Sequence, residues 1–138
     1  MRIFLDANIL FSAAKSAGAV CAFLGQLRAM GHVLVADGYV VGEAKRNLEA
    51  KFPEALEDFT TLLVDIEATP GASMILPKMT APNLPEKDRP VLAASIQHRC
   101  EVLMTGDKAH FGSFYGQCIE GVTIQSPANL GRELNVRL

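Results

Sequence analysis

Four short stretches of this chain are apolar almost without a break: "RIFL" (2–5), "HVLVAD" (32–37), "EVLMT" (101–105) and "GVTIQS" (121–126). A strand with one wet face alternates apolar and polar residues, whereas a strand covered on both faces has no need to. Runs this short and this continuous read as strands buried on both sides. Helical patterns lie between them. Residues 9–15 look helical, and in 18–31 the side chains Val20, Phe23, Leu24, Leu27 and Met30 share one stripe, with Gly31 as the stop. That stripe reads as core rather than as an interface. Asp37 is placed to cap a helix over 38–52, which Pro53 interrupts. Residues 53–68 read as a further amphipathic helix with Leu56, Phe59, Leu62, Leu63 and Ile66 inward. Residues 72–76 read as a strand, 77–87 as a proline-punctuated loop, and 88–99 as a helix that tolerates Pro90 in its first turn. Residues 106–116 read as a turn and short helix, and 127–134 as a closing helical turn or two. Strands alternating with helices in this way predict an α/β fold, with a central, mostly parallel sheet covered on both faces.

At 138 residues, about half of them apolar, the chain is one domain's worth. No apolar run approaches a membrane span, and the first apolar run carries an Asp, unlike a secretion signal. The expectation is a cytoplasmic protein with no membrane partner. Cys21, Cys100 and Cys118 are odd in number, far apart and without a CxxC pair, which argues against a disulfide framework or a zinc site. His32, His98 and His110 show no metal-ligand spacing. A net charge of -2 carries no basic signature of nucleic-acid binding, although an acidic metal site can hide a local basic rim.

In open parallel sheets ligands bind outside the carboxyl ends of the strands, so acids placed there matter most. Asp6 follows the first strand and Asp107 follows "EVLMT". Asp88 opens the helix that leads into that strand, and Glu43 lies in the helix after the second strand, on one stripe with Val40 and Asn47. Each has a plainer reading. Asp6 or Asn8 can cap a helix, Asp88 is well placed as an N-cap, Asp107 suits a turn, and Glu43 can pair with a neighbouring Lys. Clustered carboxylates, however, repel one another, and burying their charge is costly unless it is compensated. Oxygen-only ligands favour a hard divalent ion, Mg²⁺ or Mn²⁺, which can support phosphodiester cleavage without a nucleophilic side chain.

The order of these segments resembles the PIN domain family, and in particular the toxin ribonucleases of VapC-type toxin–antitoxin pairs. The resemblance rests on "IFLDANIL" with Asp6, "VVGEAKRNL" with Glu43, "KDRPVLAASIQHRCEVLMTGDKAHF" with Asp88 and Asp107, and "GVTIQSPANL". It covers essentially the whole chain, and the block from Asp88 to Phe111 is its most specific part. It implies a three-layer α/β/α PIN-like fold and Mg²⁺- or Mn²⁺-dependent endoribonuclease activity. It further implies that Asp6, Glu43, Asp88 and Asp107 are the metal-binding, catalytic acids, with Asn8 and Thr105 as supporting polar residues. A cognate antitoxin and a homodimer are the partners it implies. Many members carry a further acid shortly after the last Asp; here "TGDKAHF" has Ala109 and His110 instead, so a second ion would have fewer protein ligands. Lys45, Arg46, Lys87, Arg89 and Lys108 each neighbour a proposed acid and are candidate RNA contacts, and each is equally a solvated surface charge.

Three rival readings remain open. A PIN-fold module can bind RNA or protein without cutting, although a silent site has little reason to keep four repelling acids. A haloacid dehalogenase-like phosphatase also starts with an apolar strand ending in Asp, but needs a second Asp where this chain has Asn8. A phosphoreceiver domain needs an early acidic pair, and Asp37 is the only mid-chain acceptor on offer.

Overall fold

The computed structural model describes residues 1–138. The chain runs β1 (Arg2–Leu5), α1 (Ala7–Lys15), α2 (Ala19–Ala29), β2 (Val33–Asp37), α3 (Gly38–Lys51), α4 (Leu56–Val64) and β3 (Glu67–Thr69). It continues through α5 (Arg89–Gln97), β4 (Val102–Met104), α6 (Lys108–Phe111), β5 (Cys118–Ile119), β6 (Val122–Gln125) and α7 (Pro127–Glu133). The strands form one sheet in the order β3-β2-β1-β4-β6-β5, parallel throughout except where β5 pairs antiparallel with β6. Helices cover it in a three-layer α/β/α arrangement of PIN-like type. No single helix is long and apolar enough to cross a membrane.

The unbroken apolar strands are buried as their composition requires. Ile3, Phe4 and Leu5 have no exposed surface, and Leu103 and Ile124 are equally closed in. α1 packs against α2, α3 and α4. Phe23, Leu24 and Leu27 of α2 are buried and Val20 packs on the same core, so that stripe is core and not interface.

The topology decides where a ligand can go. From β1 the chain moves outward through β2 to β3; it then returns to β4, on the other side of β1, and moves outward the opposite way to β6. Connections that diverge from two neighbouring strands leave a crevice at their carboxyl ends. Here those strands are β1 and β4, and the next residues are Asp6 and Thr105 to Asp107.

Two segments differ from the sequence expectation. The helix expected over 53–68 ends at Val64, follows a 3₁₀ turn at Pro53–Ala55, and gives way to β3, whose Ala68 pairs with Ala36 of β2. The edge of the sheet has taken over residues that alone continue a helical stripe, a tertiary override of local pattern. Residues 72–76 form no strand. Met74 and Leu76 point inward while Ile75 is 89% exposed, so the alternation is that of a strand. The backbone hydrogen bonds go elsewhere, however: Gln97 Oε1 of α5 accepts from the backbone N–H groups of Ser73 and Met74 and from the Ser73 hydroxyl. An unanticipated hairpin joins β5 to β6 through Glu120 and Gly121, both at positive φ as a tight two-residue hairpin demands.

Candidate metal centre

Asp6 leaves β1 in extended conformation and serves two partners at once. Its Oδ1 accepts from the N–H of Ala7 at 2.8 Å, capping α1. Its Oδ2 accepts from the Thr105 hydroxyl at 2.8 Å and from Asn8 Nδ2 at 3.1 Å. The capping role and the site role are therefore the same side chain. Asn8 bridges the two strand ends, since its Oδ1 accepts from the N–H of Gly106 at 2.7 Å. A Cβ at position 106 would stand 3.2 Å from that oxygen, which favours glycine there. Thr105 is fully buried, and its Oγ1 also accepts from the N–H of Asp107 at 3.1 Å. Asp107 in turn caps α6, with Oδ1 accepting from the N–H of His110 at 3.1 Å.

Asp88 sits at the end of a 3₁₀ turn before α5 and is only 7% exposed. It makes no capping hydrogen bond to α5, so the plainer reading of this residue fails and its carboxylate is free for the cleft. Glu43 comes from the middle of α3, half-buried, and has no salt-bridge partner. Asp6, Asn8, Glu43, Asp88 and Asp107 line one cleft of about 310 Å³, together with Ala7, Phe11, Asn47, Lys51 and Lys87.

Burial in this cleft works against charge. It pushes the Asp6 carboxyl up to about 6, with the Thr105 and Ala7 hydrogen bonds opposing and the charges of Asp88 and Glu43 adding. Burial also raises Asp88; His110 pulls it down and Asp107 pushes it up. Tyr39 and Tyr115 stand close by, their hydroxyls donating to the carbonyls of Lys87 at 2.6 Å and Thr105 at 2.9 Å. Burial raises both tyrosines, and the charge of Asp6 adds in each case.

One member of the cluster escaped the spacing argument. His110, which shows no metal-ligand spacing with the other histidines, places Nδ1 2.8 Å from Asp88 Oδ2 and 2.9 Å from Asp107 Oδ2. The signal was its position three residues after Asp107, one helical turn on, on the same face of α6. Asp88, Asp107 and His110 can each offer one donor atom within 4.8 Å of the other two, a group able to hold a divalent metal. Lys51, Asn47 and Glu43 recur at intervals of four along α3, and Phe11 follows Ala7 by four in α1, so helical spacing contained these cleft residues as well.

The basic candidates separate. Lys87 lines the cleft. Lys45, Arg46 and Lys108 are exposed outside its lining. Arg89 turns elsewhere: its guanidinium donates to the carbonyls of Ala81, Pro77 and Thr80 and so clamps the 77–81 loop, outside the cleft lining.

No family model matches the chain, and no curated protein matches it. Solved structures do. Toxin–antitoxin pair VapBC2 from Rickettsia felis, bound to a DNA fragment from its promoter, matches with a TM-score of 0.66 over 91% of this chain and 98% of that one, at 14% identity. VapC20 of Mycobacterium tuberculosis, a toxin that cleaves the sarcin–ricin loop, matches with a TM-score of 0.56 over 85% of this chain and 98% of that one, also at 14% identity. At such identity the likeness is one of fold: this chain has the PIN-like α/β/α fold of VapC-type toxins, with its acidic cleft at the switch point between β1 and β4.

Proposed function

We propose that this chain is a metal-dependent endoribonuclease, the toxin of a toxin–antitoxin pair, acting in the cytoplasm as a single nuclease domain. The observation that carries this reading is the cleft itself, where acids from four different parts of the chain converge although burial opposes the charge of Asp6 and Asp88. The donor set fits a divalent cation. Asp88 Oδ2 is buried and has no hydrogen-bond partner, and the other carboxylates offer oxygen to the same space. Asp6, Asp88, Asp107 and Glu43 would hold Mg²⁺ or Mn²⁺. Such an ion supplies Lewis-acid stabilisation of the charge that builds on a phosphodiester during hydrolysis.

The chain's own groups do the rest. The hydrogen bonds from Ala7, Asn8 and Thr105 fix the Asp6 carboxylate at the strand end before substrate arrives. Lys51 and Lys87 on the cleft wall bind backbone phosphates. Phe11, also on the wall, packs edge-to-face with Phe52 and offers a ring against which a nucleobase can stack. Glu43 or Asp88 accepts the proton of the attacking water as the water's oxygen adds to phosphorus. The bond from phosphorus to the 3′-oxygen breaks and that oxygen takes up a proton from solvent, leaving a 5′-phosphate on one fragment and a 3′-hydroxyl on the other. An antitoxin partner is proposed by likeness to the Rickettsia felis pair, and a homodimeric state from the resemblance of the sequence to VapC-type toxins. A phosphatase of the haloacid dehalogenase type is disfavoured, because Asn8 has its amide committed to Asp6, Thr105 and Gly106 and no carboxyl acid takes its place.

The test is a two-step assay on a mixed structured RNA. Protein in EDTA should retain the RNA without cutting it, and added Mn²⁺ or Mg²⁺ should start cleavage. RNA retained but left whole after metal addition would make the chain a binding module and sink the nuclease reading.

A further inference from the structure

His110 stands where two carboxylates meet, and its contacts do not close as an ordinary ion pair. Nδ1 lies 2.8 Å from Asp88 Oδ2 and 2.9 Å from Asp107 Oδ2. Neither contact has the direction of a hydrogen bond, and both Asp88 Oδ2 and His110 Nδ1 are left buried without a partner. Asp88 is more than nine-tenths buried, so water does not make up the loss at its oxygen. A proton on Nδ1 could serve only one of the two oxygens.

The spacing suits a cation instead. Donors at right angles around an ion, each at roughly 2.1 Å, stand roughly 3.0 Å apart. Both short contacts at His110 fall close to that separation, and all three donor atoms lie within 4.8 Å of one another. The elements hold this arrangement firmly. Asp107 Oδ1 caps the backbone of His110, leaving Oδ2 for the cluster, and α6 begins directly at that cap.

We infer that His110 is a metal ligand, completing with Asp88 and Asp107 a nitrogen-containing position that takes Mn²⁺ in preference to Mg²⁺. This rests on the metal-binding part of the proposed function and names the ion it selects. Mg²⁺ prefers oxygen donors in a near-ideal octahedron, whereas first-row transition ions accept imidazole readily. A single imidazole among carboxylates therefore tilts the choice toward Mn²⁺.

The experiment is Mn²⁺ binding to the full chain without RNA, followed by calorimetry and by pulsed electron paramagnetic resonance. The expected result is a nitrogen coupling to bound Mn²⁺ in the wild type, with Mn²⁺ bound on the order of ten-fold more tightly than Mg²⁺. His110→Ala and His110→Gln should lose the coupling and about ten-fold in Mn²⁺ affinity, while His110→Asp should narrow the gap between the two ions. Mn²⁺ bound with no nitrogen coupling in the wild type overturns the role of His110 and leaves the carboxylate site standing. Absence of Mn²⁺ binding overturns both. The wild-type spectrum decides the matter even if a variant folds poorly, and failure of RNA cleavage alone would strike the nuclease reading without touching this one.

Discussion

At the scale of single residues the centre is organised by one hydroxyl. Thr105 Oγ1 donates to Asp6 and accepts from Asp107 N–H and Asn8 Nδ2, so its donor and both acceptor positions are in use. Thr105→Val keeps the shape and removes all three bonds. We expect a loss of about 1–3 kcal/mol in urea unfolding together with a clear fall in cleavage rate, and Thr105→Ser should restore both. A valine variant as stable and active as the wild type would refute this account of the hydroxyl. Much of this was legible in the sequence because strand ends advertise themselves: Asp6, Asn8, Thr105 and Asp107 directly follow apolar runs. His110 was not, because a histidine is recognised as a ligand by its spacing from other histidines or cysteines, and its partners here are two aspartates, one from a distant segment. Arg89 shows the opposite limit of neighbourhood in sequence. Adjacency to Asp88 in sequence placed it near the acids, but its side chain turns to the 77–81 loop.

Elements divide into those that build the cleft and those that brace it. α3 carries Glu43, Asn47 and Lys51 along one wall, and the turn before α5 carries Lys87 and Asp88. Arg89 braces the loop behind them. Lys51→Ala and Lys87→Ala should each weaken the binding of a short single-stranded RNA in EDTA several-fold and leave the melting temperature nearly unchanged, because exposed lysines contribute little to stability. Arg89→Met should do the reverse, costing about 1–3 kcal/mol of stability with RNA affinity held within about two-fold. Fluorescence anisotropy and thermal melts on the same samples check both; an Arg89 variant that melts normally but loses RNA would restore it as a contact. The strands that were legible are the buried ones, where continuous apolar character leaves one reading. β3 and β5 lie at the two edges of the sheet, are short, and depend on pairing rather than composition, so pattern alone did not mark them. Residues 72–76 show the converse, since a strand-like alternation became irregular when Gln97 took its backbone donors.

The whole molecule carries buried acids that its fold holds against their ionisation. Burial raises Asp6 to about 6, and it raises Asp37, whose Oδ1 caps α3 through the N–H of Val40 while Oδ2 is left unpartnered. A carboxyl raised in the fold keeps its proton where the unfolded chain has already lost it. Above the ordinary carboxylate pKa, near 4, the folded state therefore binds more protons than the unfolded one. Stability is fully present below that pKa and falls as pH rises toward 6. Metal-free protein in EDTA should melt at a higher temperature at pH 5 than at pH 7, with a shallower slope in Asp37→Asn, and Mn²⁺ at pH 7 should recover stability by binding the folded state alone. A wild-type slope no different from that of Asp37→Asn would contradict the placement of that charge. The central claim is that the switch point between β1 and β4 presents Asp6 to a cation that supports phosphodiester hydrolysis. Its most direct measurement is the rate of RNA cleavage in Mn²⁺ by wild type and Asp6→Asn, matched for folded content by circular dichroism. A loss on the order of a hundred-fold or more is expected in the variant, with no cleavage by either protein in EDTA. Wild-type rates from a folded Asp6→Asn protein, or cutting that survives EDTA, would contradict it.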